Sequence, residues 1–185
     1  GIFSVAPYTF VYGSDGYIAW SDANLPQTWH TSVAPIGDAG ADRITGAKIV
    51  KGLPLRSGSG PAALLWSLDS VIRMDYTGGG AIFKFTHLST QSSVLSQNSV
   101  IEYDGAYFWL GVDRFLACDA SQVQELPNQM NINWVFDNLN FEQRQRVWAT
   151  VVPRWGEIWW FFPYGQGQVE CNRAVIYNIR EKTWY

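Results

Sequence analysis

Charge is scarce in this chain. Only 16% of its 185 residues are Asp, Glu, Lys or Arg, against the usual quarter of a globular domain. The 13 basic residues are scattered and the net charge is −3. A firm grip on nucleic acid neutralises several phosphates at once, so this composition argues against a DNA-binding protein of the usual kind. Long apolar runs are missing too. None approaches the roughly 20 residues of a membrane span, and no charged start followed by an apolar middle marks a signal peptide. The two cysteines, Cys118 and Cys171, stand 53 residues apart with no C-x-x-C. A zinc site would have to recruit His30 and His87 as well, at spacings that disfavour it. Nothing marks the chain as secreted, so reduced, buried thiols are expected. No G-x-S-x-G, P-loop or H-E-x-x-H occurs. The chain begins at Gly1 and stops at Tyr185 inside a strand-like run, and is therefore read as part of a longer protein.

What is abundant is aromatic. Ten Trp, nine Tyr and ten Phe accompany a hydrophobic share of 47%. Flat rings pack well on pleated surfaces, so an all-β fold with a sizeable core is expected. Short apolar runs separated by Gly and Asp turns agree with this. Tyr8–Tyr12 and the "YIAWS" run flank "GSDG". Strands are also expected at 44–53, 62–67, 71–76 and 81–87. Further strands are expected at 99–103, 106–110, 114–118, 147–152, 157–162 and 173–178. Asp104-Gly105 is a hairpin signal. In "VIRMDY", Ile72, Met74 and Tyr76 share one face and Val71, Arg73 and Asp75 the other. The stretches 22–43 and 126–146 do not read as strands.

One segment breaks this rhythm. Ile132, Val135, Phe136 and Leu139 recur at i, i+3, i+4 and i+7, which is one face of a short amphipathic helix near 131–141. Pro127 and Asn128 stand before it as start signals. Its expected task is to pack on a core.

Trp20, Trp66, Trp109 and Trp159 are spaced 46, 43 and 50 residues apart. Such a period, with several strands per unit, is that of propeller blades. A blade cannot cover its own two faces, so blades stack radially and bury rings between them. The expected architecture is an all-β, antiparallel β-propeller, partial or irregular, forming a single propeller-like domain over 1–185.

Two resemblances follow. "SDANLPQTW" resembles the Asp-box of sialidase-type propellers, S-x-D-x-G-x-x-W, but its serine and aspartate are adjacent and the glycine is missing. In that box the aspartate caps a turn, and the same role is expected of Asp22. The second resemblance spans nearly the whole chain. The start Trp20–Trp29, the strand end Tyr76–Gly78, the hairpin Asp104–Phe108, the strand Ile158–Pro163 and the closing Tyr177–Trp184 follow one another in order. This order resembles the β-propeller tail proteins of short-tailed bacteriophages, the nozzle or packaged-DNA stabilisation proteins that close the distal tail. Members of that family are several times longer and carry further domains.

The resemblance implies a structural component of the virion tail, assembled in the host cytoplasm. It would stand in a ring of its own copies, six-fold by family expectation. Other tail proteins such as an adaptor and a tail fibre or spike would bind it, and double-stranded DNA would pass through without sequence-specific contacts. A conduit poor in basic patches lets a duplex slide, because fixed cations would have to be released during ejection.

Enzymatic chemistry finds little footing. Glycosidases need two carboxylates across a cleft, whereas Glu102, Asp104, Asp113, Asp119 and Glu157 all stand beside turns. Arg43, Arg73, Arg114, Arg154 and Arg173 are not gathered by the sequence. Thr77–Gly80 is glycine-rich but leads into a strand, so it is not a phosphate cradle. His87 shares a strand face with Phe83 and Phe85 and is expected to be packed or at an edge. Trp29, Trp134 and Trp184 are expected to pack between blades; if exposed they would stack on sugars. No catalytic, cofactor-binding or metal residue is assigned, and no cofactor is expected. The competing reading is a carbohydrate-binding or glycan-cleaving propeller. A generic interaction propeller ranks last, because the Trp-Asp dipeptide of WD40 repeats is absent.

Overall fold

Alternation of burial builds strands such as Ile2–Val5 and Glu157–Phe162, while Ala62–Ser67 and Phe115–Cys118 are buried along their whole length. The computed structural model describes residues 1–13, 15–29, 37–56, 58, 60–79, 82–128 and 132–185. Their strands form four antiparallel sheets, each built on a four-stranded meander of sequence neighbours, to which the first sheet adds a fifth strand. His30, Gly80 and Ala81 lie outside the described residues.

The unit Gly1–Ser92 holds two sheets. The first contains β1 (Ile2–Val5), β2 (Tyr8–Tyr12), β3 (Tyr17–Asp22), β4 (Leu25–Trp29) and β5 (Gly40–Arg43), with β4 and β5 both paired to β3. The second runs β6 (Ile49–Pro54), β7 (Ala62–Ser67), β8 (Val71–Tyr76) and β9 (Phe83–Ser89). One face of each sheet enters a shared core of Phe3, Tyr8, Phe10, Ile18 and Trp20 with Leu65, Ile72, Met74 and Phe83. Its rings meet edge to face: Phe83 lies 5.1 Å from each of Tyr8, Phe10 and Trp20, a geometry favoured by the ring quadrupole.

The unit Ser93–Tyr185 repeats the plan. Its first sheet runs β10 (Ile101–Tyr103), β11 (Ala106–Leu110), β12 (Phe115–Cys118) and β13 (Val123–Glu125). Its second runs β14 (Trp148–Val152), β15 (Glu157–Phe162), β16 (Arg173–Asn178) and β17 (Thr183–Trp184). The core joins Phe108, Leu110 and Phe115 to Ile158, Trp160, Phe162 and Tyr177. In each unit the first strands of the two sheets, β1 with β6 and β10 with β14, lie side by side. The β10–β11 hairpin turns on Asp104 and Gly105, at φ 53° and 77°, with Tyr103 opposite Ala106. Two positive φ values in a two-residue loop match the twist of the flanking strands.

The helix α1 is Ile132–Asn138. Val135 is buried and Phe136 packs on the second core, while Leu139 lies beyond the helix in a bridge to Tyr164. A 3₁₀ segment, Phe141–Arg146, follows and starts at Asn140, whose side chain accepts from the Glu142 amide.

Several expectations need correction. The stretch 22–43 contains two strands, β4 and β5. Their side chains are mostly exposed, so no apolar period announced them, and Pro26 is tolerated on an edge. The strand expected from Ile44 starts at Ile49, because Thr45-Gly46 make a turn with Gly46 at φ 81°. The strands β1 and β13 were unannounced, and β17 falls in the strand-like run that ends the sequence. The fully buried tryptophan of β15 is Trp160; Trp159 is half-buried on the opposite face.

Candidate functional site

The turn around Asp22 is held from several sides. Asp22 Oδ1 accepts from the amides of Ala23 and Asp38, both at 2.8 Å. Trp20 Nε1 donates to the Asp38 carbonyl at 2.8 Å, and Tyr8 Oη donates to Asp38 Oδ2 at 3.2 Å. Burial pushes the Tyr8 phenol well above its ordinary range, and its neighbours Tyr76 and Asp38 push the same way. Asp22 thus caps a turn, as its sequence context suggests, and Trp20 packs in the core.

The other carboxylates are also engaged locally. Glu102 accepts from the Gly105 amide at 3.0 Å. Asp119 accepts from Ser121 Oγ and from the amides of Ser121 and Gln122. The Ser121 hydroxyl and these amides hold its carboxyl below the usual range. Asp113 pairs with Arg114, whose guanidinium lowers it likewise. Glu157 accepts from Trp159 Nε1 at 3.0 Å. Asp104 sits in the hairpin turn.

The arginines serve different neighbours. Arg43 meets Asp15 at 3.1 Å, Arg73 meets Asp75 at 2.9 Å, and Arg114 also reaches Glu125 at 3.7 Å. Arg173 lies over the Tyr164 ring and Arg154 over Trp155. His87 is exposed on β9, the edge strand of its sheet, which is the edge position of the two alternatives. Thr77–Gly79 connects β8 to β9. Neither cysteine is in a disulfide, and Cys118 is buried. Cys171 is only half-buried, with Sγ 3.2 Å from the Arg146 carbonyl, because it stands in the loop before β16. Among the described residues no three His, Cys, Asp or Glu side chains gather as for a metal, and no helix is long and apolar enough to cross a membrane.

Two features stand out in the second unit. One is a sheet face. Trp148 pairs with Phe161 in register and stacks on it at 4.3 Å and 13°. Trp159 lies 6.0 Å from Phe161 on the same face. Trp148 is 42% exposed. Alternation along β15 forces this, since Ile158, Trp160 and Phe162 fill the core side.

The other feature is a depression of about 340 Å³ lined by Arg154, Trp155, Glu157, Arg180, Glu181 and Tyr185. Trp155, at 53% exposure, is a ring that sequence reasoning passed over, because it stands in a turn rather than a strand. A larger depression, about 640 Å³, lies between the end of α1 and Gly165–Gly167. Nearby Trp134 stacks on Tyr164 at 5.1 Å. Trp184 is packed in the second core with Nε1 on the Pro127 carbonyl, and Trp29 is half-buried.

Comparison with protein-family models and with curated protein sequences found no match for this chain.

Proposed function

We propose that the chain is a structural, non-enzymatic part of a bacteriophage tail, a nozzle or hub ring at the distal end of the DNA channel. In this reading each four-stranded meander is a propeller blade. The observation that carries it is two-sided burial. In the β6–β9 sheet Leu65, Ile72 and Met74 are buried on one face, and Leu64, Trp66 and Val71 on the other. In the β10–β13 sheet Phe108 and Phe115 are buried on one face, and Tyr107, Trp109, Leu116 and Cys118 on the other. Blades require cover on both faces. First strands side by side within each unit also suit wedges that narrow toward an axis.

The motifs behind the phage resemblance fall at strand ends and turns in all four sheets. "WSDANLPQTW" covers the end of β3 and β4, Tyr76–Gly78 ends β8, Asp104–Phe108 turns β10 into β11, and Tyr177–Trp184 turns β16 into β17. The aromatic face of the β14–β17 sheet supplies apolar surface for assembly. A ring forms when a head-to-tail contact closes on itself. Charge fits a conduit: the first unit carries six acidic and six basic residues, the second ten and seven.

Mass photometry of the wild-type chain and of Trp148→Asp tests this. Discrete oligomers that the substitution dissociates are expected; a monomer at every concentration speaks against the reading.

A further inference from the structure

The rim of the β14–β17 sheet carries a pair of linked turns. The β14–β15 turn, residues 153–156, and the β16–β17 turn, residues 179–182, lie at one end of the sheet and are tied together. Arg180 donates from Nη1 to the Arg154 carbonyl at 3.3 Å and from Nη2 to the Pro153 carbonyl at 3.2 Å. The Ile179 amide donates to the Gly156 carbonyl at 2.8 Å. Buried Asn178 accepts from the amides of Arg180 and Glu181, both at 3.0 Å, and donates to the Trp155 carbonyl at 3.4 Å. Gly156 has φ 70°, and a Cβ there would meet Arg180 Nε at 2.8 Å. The two turns therefore form one platform, and a side chain at position 156 would hold a left-handed φ and push the Arg180 side chain from its place.

On this platform stands Trp155, more than half exposed, with the Arg154 guanidinium 5.8 Å from its ring centre. Glu157 and Glu181 face the same depression, and Tyr185 Oη donates to Glu181 at 3.3 Å. The volume, about 340 Å³, is at the small end of ligand sites, which run from about 300 to 1,000 Å³. The chemistry narrows the ligand. Arg180 spends its guanidinium on backbone carbonyls, leaving Arg154 against two carboxylates. That balance repels phosphate and other anions. An exposed indole offers a flat apolar surface, while carboxylates and a guanidinium offer acceptors and donors around it. A neutral pyranose matches both, with a C–H face for the ring and hydroxyls for the rim.

We propose that Trp155, Arg154, Glu157 and Glu181 form a binding site for a neutral hexopyranose unit of a glycan. The site binds and has no catalytic part. It does not depend on the ring reading, since all of it lies within one sheet.

The test is titration of the full chain with chitohexaose and cellohexaose, whose all-equatorial sugars present flat C–H faces, and with a heparin hexasaccharide as the anionic control. Saturable binding of a neutral hexasaccharide is expected, with Kd on the order of 1 mM, as for a single shallow subsite. Trp155→Ala should weaken it at least tenfold without changing the unfolding midpoint, and Glu181→Ala should weaken it with Trp155 fluorescence still present. The site is refuted by no saturable binding of either neutral sugar, by binding that Trp155→Ala leaves intact, or by binding of the heparin fragment alone. None of these outcomes changes the oligomeric state, so the two proposals stand or fall separately.

Discussion

Trp160 and Ser99 are joined across 61 residues: the indole Nε1 donates to the Ser99 carbonyl at 2.9 Å, and both residues are fully buried. Beside this bond Ser96 Oγ donates to the Val147 carbonyl at 2.6 Å. The lead-in to the β10–β13 sheet is thereby bonded to the β14–β17 sheet, in addition to the rings packed between them. Trp160→Phe removes the donor and leaves a buried carbonyl, at a cost of roughly 1–3 kcal/mol. Trp160→Ala adds a cavity, for about 3–5 kcal/mol in total. Urea unfolding should show this order, and a Trp160→Phe variant as stable as the wild type would contradict the role given to the indole N–H.

Asp22→Ala removes the acceptor for two amides. A loss of about 1.5–3 kcal/mol is expected, the range for hydrogen bonds to a charged group. Asp22→Asn keeps one acceptor oxygen and should lose less. The comparison is read from thermal unfolding, with matched losses in the two variants counting against the cap.

Asp119 sets a pH signature. Its carboxyl lies below the usual value of about 3.9 because Ser121 and the Gln122 amide bond to the ionised form. A depressed folded value contributes stability that is fully present above the unfolded value and is lost as pH falls through the folded one. The midpoint difference between wild type and Asp119→Ala should hold from pH 7 to pH 5 and shrink below about pH 4. A difference that grows in acid would reverse the assignment.

Thiol chemistry separates the two cysteines. Burial raises the Cys171 thiol, the Glu170 carboxylate adds to this, and Arg146 partly offsets it. Only the thiolate attacks an alkylating agent. Iodoacetamide at pH 8 should therefore modify Cys171 more slowly than a free cysteine, and Cys118 only after unfolding. Rapid labelling of Cys118 in the native chain would contradict its burial.

Much of the sheet architecture is legible where residues alternate across a half-buried strand or run apolar without interruption. "AALLWS" is buried along its whole length, and such a run signals a strand covered on both faces. The Asp104-Gly105 turn is legible because its backbone conformation demands those residue types. Strands β4 and β5 are not, since their side chains face solvent and carry no period. Trp155 escapes for a related reason. A ring in a turn has no alternation to show which way it points, and Asn178, which bonds its carbonyl, stands 23 residues away in sequence. The Asp22 cap needs Asp38, brought close only by the fold. The choice between Trp159 and Trp160 could be read only by fixing the register of β15 against Ile158 and Phe162.

Electron microscopy of the purified chain at high concentration tests the central claim most directly. Closed rings with a central hole wide enough for a DNA duplex, dispersed by Trp148→Asp, are expected. Isolated single-chain particles, or assemblies without a central opening, would contradict it.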